Sequence, residues 1–185
     1  MRRESGWAFL MGRTTSVTIN MRQIITDLEL EIQKQIGLTS SVPVTVQADE
    51  PGVAGLEVDF VAIDSMSCSF VELRLTVPSL VNADMDELKK WGEGLCQRVS
   101  YLLENIGPLE IDEGTGEILI RSTPPQQQPS GTKFYEIILQ SHANGSFTLK
   151  RFESEKGVPG RKPVEIQLTH EVLFKLVEDL LDTIP

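Results

Sequence analysis

The chain has 185 residues, 40% of them hydrophobic and 24% charged, and carries a formal net charge of -10. A domain of this length buries roughly 70% of its unfolded surface, so no metal or disulfide staple is required, and with aromatics at only 6% the interior must be filled by Leu, Ile and Val. The acidic balance repels nucleic acid and anionic membrane, and no run approaches the ~20 apolar residues of a membrane span.

Residues 1–20 show no sustained period and read as a loosely ordered leader, with Met11 and Met21 as alternative starts. One α+β domain then fills residues 21–185. Ile24, Ile25, Leu28, Ile32 and Ile36 recur at helical spacing between a cap at Asn20 and a stop at Gly37. Residues 39–43 read as a connector and residues 42–48 as a short strand, followed by turn chemistry at residues 49–52. Leu56, Val58 and Phe60 alternate with Glu57 and Asp59, and the strand they predict reaches about Ile63. Val71, Leu73, Leu75 and Val77 alternate with Glu72, Arg74 and Thr76 until Pro78 ends the run. These three strands form an antiparallel meander.

The clearest element is a central helix over residues 84–106. Asp84 and Glu87 have the spacing of a capping box. Leu88, Trp91, Leu95, Val99, Leu102 and Ile106 form its apolar stripe, and Gly107 with Pro108 stops it. Next comes a hairpin of residues 109–112 and 118–121 around a glycine-containing acidic loop. The Pro/Gln stretch 123–131 reads as an exposed, partly extended loop, or else as a boundary between two domains. Residues 133–143 and 146–153 flank Asn144-Gly145, a strong hairpin turn, and the consecutive Ile137, Ile138 and Leu139 suggest a strand covered on both faces. A last strand at residues 164–168 leads to a helix capped by Thr169, with Leu173, Leu176, Val177, Leu180, Leu181 and Ile184 on its apolar stripe. The predicted order is α-βββ-α-ββ-ββ(β)-α, a mostly antiparallel sheet covered by three amphipathic helices.

Chemistry-bearing residues are sparse. Cys68 and Cys96 read as two reduced, buried thiols, which agrees with a cytoplasmic location. His142 sits beside a turn and His170 in the first turn of the last helix. Neither these nor the cysteines offer the sequence-close ligand pairs of a zinc site. The acidic hairpin Asp112, Glu113, Glu117 lacks an EF-hand ladder, residues 157–163 lack phosphate-loop spacing, and no nucleophile elbow occurs. No catalytic, cofactor or metal residue is assigned, and a non-enzymatic protein is expected. Glu57, Asp59 and Glu72 are the acids an enzyme would have to use. Two surfaces remain for a partner. Trp91, Leu95 and Val99 offer core packing or a partner or homodimer contact, and Lys150, Arg151, Lys156, Arg161 and Lys162 form a basic island.

In element order and acidity, residues 21–185 resemble the small acidic chaperones of bacterial type III secretion and the YbjN-like fold. That resemblance implies a cytoplasmic, commonly dimeric protein without catalytic residues that holds a partly extended protein client. The reading is therefore a protein-binding module of chaperone or adaptor type. Its alternatives are a small-ligand or enzymatic domain with a pocket between the sheet and the last helix, and an acidic immunity- or decoy-type protein that binds a basic partner.

Overall fold

The computed structural model describes residues 22–102, 105–142 and 146–185. The leader, the proposed Asn20 cap and the Asn144-Gly145 turn lie outside them. Among the described residues three α-helices, α1 (Gln23–Lys34), α2 (Met85–Arg98) and α3 (His170–Asp182), accompany ten strands: β1 (Thr39–Glu50), β2 (Ala54–Ile63), β3 (Ser67–Thr76), β4 (Ile106–Asp112), β5 (Glu117–Ser122), β6 (Gln126–Gln128), β7 (Gly131–Gln140), β8 (Ser146–Glu155), β9 (Lys162–Val164) and β10 (Ile166–Thr169). The strands form one antiparallel sheet with the main order β1-β2-β3-β8-β7-β5-β4. Strand β6 is added on β7, β9 on β8 and β10 on β3. The expected α+β class is the one observed.

Two of the three described helices begin for a local reason. At α2 the capping box is complete: the Glu87 N–H donates to Asp84 Oδ1 at 2.9 Å and the Asp84 N–H to Glu87 Oε2 at 3.3 Å. At α3 the Thr169 hydroxyl oxygen accepts from the Val172 N–H. The first helix is capped through tertiary structure instead, because Arg22 makes no side-chain cap and the free Ile24 N–H finds Glu50 Oε2 on β1 at 3.1 Å. Gly37, at φ +94°, turns the chain out of α1, and Ile36 is left exposed.

Several boundaries differ from the expectation. Helix α2 ends at Arg98, eight residues before Ile106, although Val99 and Leu102 stay fully buried on non-helical backbone. Both belong to the one buried core, so the apolar period continues past the helix that seemed to generate it. Arg98 Nη1 reaches Asp182 at 2.7 Å and the Tyr101 hydroxyl donates to Asp179 at 2.9 Å, which ties this segment to α3. Ile106 opens β4 opposite Ser122, and Gly107 and Pro108 sit at a register irregularity of that strand, where no helix needs stopping. The connector at residues 39–43 is part of β1. The three glutamines of the Pro/Gln stretch pair with β7 as strand β6.

One core fills the space between the helices and one face of the sheet. Leu56, Val58, Phe60, Leu73, Leu75, Phe147, Leu149, Ile137 and Ile118 project into it and meet Leu28, Leu88, Leu95 and Leu176. Trp91 is wholly enclosed near Phe147, their ring centroids 6.1 Å apart, and its indole N–H donates to Thr183 Oγ1 at 3.2 Å. The strand alternation sends the other side chains to the opposite face, which no helix among the described residues covers. Ile138 stands there, half-buried beside Leu119, and Phe134 lies on the same side of β7, so this strand carries apolar residues on both faces.

Candidate binding cleft

Oppositely charged side chains on neighbouring strands occupy much of the uncovered face. Arg74 on β3 donates to Glu57 at 2.9 Å and Asp59 at 2.8 Å on β2, and reaches Glu72 at 3.4 Å. Lys150 on β8 meets Glu72 at 3.1 Å, and the Thr45 hydroxyl on β1 donates to Asp59 at 2.6 Å. Cross-strand pairs of this kind are what stabilise the solvated face of a sheet. The Arg74 guanidinium holds the Asp59 carboxyl below its ordinary range; partial burial opposes this and the Thr45 hydroxyl adds to it. Asp59 is therefore an ionised partner of Arg74 with no proton to give at neutral pH. Glu57 Oε2 is likewise engaged by Arg74 while its Oε1 accepts from the Gln47 amide, and Glu72 Oε2 is shared by Arg74 and Lys150, an arrangement that sorts charge across the sheet.

Apart from the β4 irregularity, the described ladders lose their regular pairing around one part of this face. Strands β3 and β8 pair only over Leu73–Leu149 to Thr76–Ser146 and then part. Strand β10 takes over residues 67–70 of β3 and β9 takes over residues 151–153 of β8, so the segment 162–169 crosses the fork. On β3, Val71 falls between the paired Phe70 and Glu72. On β2, Val61 falls between the paired Phe60 and Ala62. Opposite Val61, β1 carries four unpaired residues, 40–43. An extra residue turns its side chain off the regular alternation, and here irregularities from β1, β2, β3 and the β9–β10 junction surround one cleft of about 800 Å³. Val61, Val71 and Val164 give it apolar surface, while Lys133, Lys150, Glu72 and Glu165 supply charge of both signs. Val42, 70% exposed, lies in the unpaired β1 segment.

The residues singled out from sequence are distributed differently. Trp91, Leu95 and Val99 are 0% exposed, so the partner or dimer contact expected of them is corrected to core packing: α2 turns that stripe onto the sheet and α3 closes over it. The basic island is not one patch. Lys150 and Arg151 line the cleft, and Arg151 donates to Gln126 at 2.7 Å with its guanidinium 4.8 Å from the Tyr135 ring. Arg161 binds Glu136 on another part of the face, Lys162 pairs with Glu155, and Lys156 is exposed. Charges adjacent in sequence separate because β8 turns back through the 156–161 loop into β9. The space expected to form a pocket under the last helix is filled by Leu173, Leu176, Val177 and Leu180.

Both thiols are free; burial pushes the Cys68 thiol up to about 12 and also raises that of Cys96. His170 Nε2 lies 3.2 Å from the Ser67 carbonyl oxygen. Among the described residues, no three His, Cys, Asp or Glu side chains are placed to share a metal ion. No helix among them is long and apolar enough to cross a membrane. The residues that sequence reasoning missed are Val61 and Val71. Both looked like ordinary members of alternating strands, and the only signal was that Val61 and Ala62 break the alternation after Phe60. Comparison with known protein families, characterised proteins and solved structures finds no match for this chain.

Proposed function

We propose that this chain is a non-enzymatic binding module, of adaptor or chaperone type, whose cleft at the β3–β8 fork holds an extended segment of a partner protein. The observation that carries this reading is the convergence of ladder irregularities from four parts of the sheet on one uncovered cleft. Regular pairing would have filled that space at no cost, whereas bulges are characteristic of sites where a sheet meets something else. Apolar Val61, Val71 and Val164 can take alternate side chains of an extended strand, and the flanking lysines and glutamates can take its polar groups. Element order and acidity, which resemble those of secretion chaperones, support the same class of function.

The test is a displayed library of random dodecapeptides panned against the full chain, with affinities read by fluorescence anisotropy on wild type and Val71→Glu. A carboxylate beside an apolar contact costs at least ~1.4 kcal/mol, so the variant should lose roughly tenfold or more in affinity. It should keep the wild-type circular dichroism. Recovery of no saturable peptide, or equal affinity for both proteins, would refute the assignment. Binding that vanishes in 0.5 M salt while Val71→Glu binds normally would favour the charge-driven decoy reading.

A further inference from the structure

A second hollow, of about 620 Å³, lies on the same face beyond β8, lined among others by Arg121, Ser122, Thr132, Phe134, Ser154 and Arg161. Beside it on β7 is Glu136, only 4% exposed although its strand faces solvent at that point. Its carboxylate accepts from Arg161 Nη2 at 2.9 Å, again from Arg161 Nη1, and from Arg121 Nε at 3.3 Å. One buried negative charge thus fixes two guanidiniums, each about 40% exposed, at the wall of one hollow. A buried carboxylate with a single arginine would be neutral; the second leaves a surplus positive charge. Glu110 touches Arg121 Nη1 at 3.2 Å but is itself 60% exposed and therefore weakly coupled through water, and Glu153 and Glu155, which share a neighbouring hollow with Arg161, are paired with Lys162.

The rest of the lining suits a ligand with two parts. Arg161 is drawn down from the 156–161 loop with its guanidinium 4.3 Å from the Phe152 ring centroid, and Phe152 stacks on Phe134. Phe134 therefore gives the hollow a flat apolar wall. Ser122, Thr132 and Ser154 add polar lining, with Ser122 Oγ accepting from the Tyr135 N–H at 2.6 Å and the Ser154 hydroxyl donating to the Gly160 carbonyl at 3.3 Å. Arginine donates in a planar fork that matches a carboxylate, and each guanidinium has N–H groups beyond those given to Glu136.

We infer that this hollow is a binding site for a small carboxylate ligand with a planar, apolar body, the carboxylate held between Arg121 and Arg161 and the body against Phe134. A single negative charge is specified because it balances the surplus arginine. A phosphate dianion would leave net negative charge beside the buried Glu136.

Titration calorimetry on the full chain with benzoate as probe tests the site, with inorganic phosphate and benzyl alcohol as the ring-less and charge-less controls. Benzoate should bind saturably at one site, with both controls at least about tenfold weaker. Arg161→Gln should lose roughly tenfold or more, and Arg161→Lys should not restore it, because an ammonium lacks the fork. Glu110→Gln, a change at an exposed residue, should tighten binding modestly, by about twofold, by removing a weakly coupled competitor for Arg121. Absence of benzoate binding, a Kd unchanged by Arg161→Gln, or a Glu110→Gln variant no tighter than wild type would overturn the inference.

Discussion

Gly131 is the position where an added methyl group should do the most damage for its size. A Cβ there would stand 2.0 Å from the Ser154 carbonyl oxygen and 3.0 Å from the Glu155 Cα. A carbon needs about 3.3 Å from a carbonyl oxygen, so backbone must move by ~1.3 Å. No flexible side-chain end is present to give way. Gly131 is paired on both sides, with Gln128 on β6 and with Glu155 on β8, and its neighbour Thr132 pairs with Ser154. Relief therefore means opening two or three ladder pairs at about 1 kcal/mol each, so Gly131→Ala should cost about 2–3 kcal/mol, in line with the usual cost of overpacking. For a chain of this size that lowers Tm by about 4–12 °C. Gly157→Ala is the internal control. Gly157 also has positive φ, +82°, but a Cβ there meets nothing within 4 Å, so only the left-handed backbone penalty of about 1–2 kcal/mol applies. Both variants would be melted by calorimetry alongside wild type. A Gly131→Ala protein that melts at the wild-type temperature, or no lower than Gly157→Ala, would show that the strand end shifts freely and refute the reasoning.

Asp179 is 5% exposed and accepts from the Tyr101 hydroxyl at 2.9 Å and from Lys175 at 3.0 Å, with Arg98 at 3.4 Å; Asp179→Ala leaves Tyr101 without this acceptor and should cost about 1–3 kcal/mol in urea denaturation, whereas an unchanged midpoint would mean the contact carries no stability. Burial, with Asp179 beside it, raises the Tyr101 hydroxyl well above the ordinary tyrosine range. A raised folded value makes stability fully present below pH 10 and lost above it, so wild type should destabilise with rising alkaline pH more steeply than Tyr101→Phe; parallel pH profiles would count against this. Asp59 has the opposite sign: its folded value lies below the ordinary 3.8, so its contribution is present above that pH and lost as pH falls through the folded value. Asp59→Asn should be less stable than wild type at pH 7, with the gap closing under strong acid; a gap that persists at pH 2 would point to packing in place of charge.

Much of the fold was legible in the residues themselves. Asp84 with Glu87 and Thr169 with its apolar stripe specify helix starts by local hydrogen bonding, and the period-two runs at Leu56–Phe60 and Leu73–Val77 specify strands and the face each buries. Those features act within a few residues of chain, which is why sequence alone determines them. The end of α2 was not legible, because Val99 and Leu102 keep the helical period yet are buried on non-helical backbone, in a core that α3 from the far end of the chain helps to build. The cleft was not legible either: Val61 and Val71 become special only when the β1–β2 and β2–β3 ladders slip out of register where the 162–169 segment, from the far end of the chain, crosses the fork. Gly131 reads as a loop glycine until Ser154 is brought against it, and Glu136 reads as one more solvated strand acid until Arg121 and Arg161 close over it. Local hydrogen bonding and hydrophobic period set the elements. Register and the crossing of the 162–169 segment depend on contacts between distant strands, and those contacts alone decide where the sheet stays open.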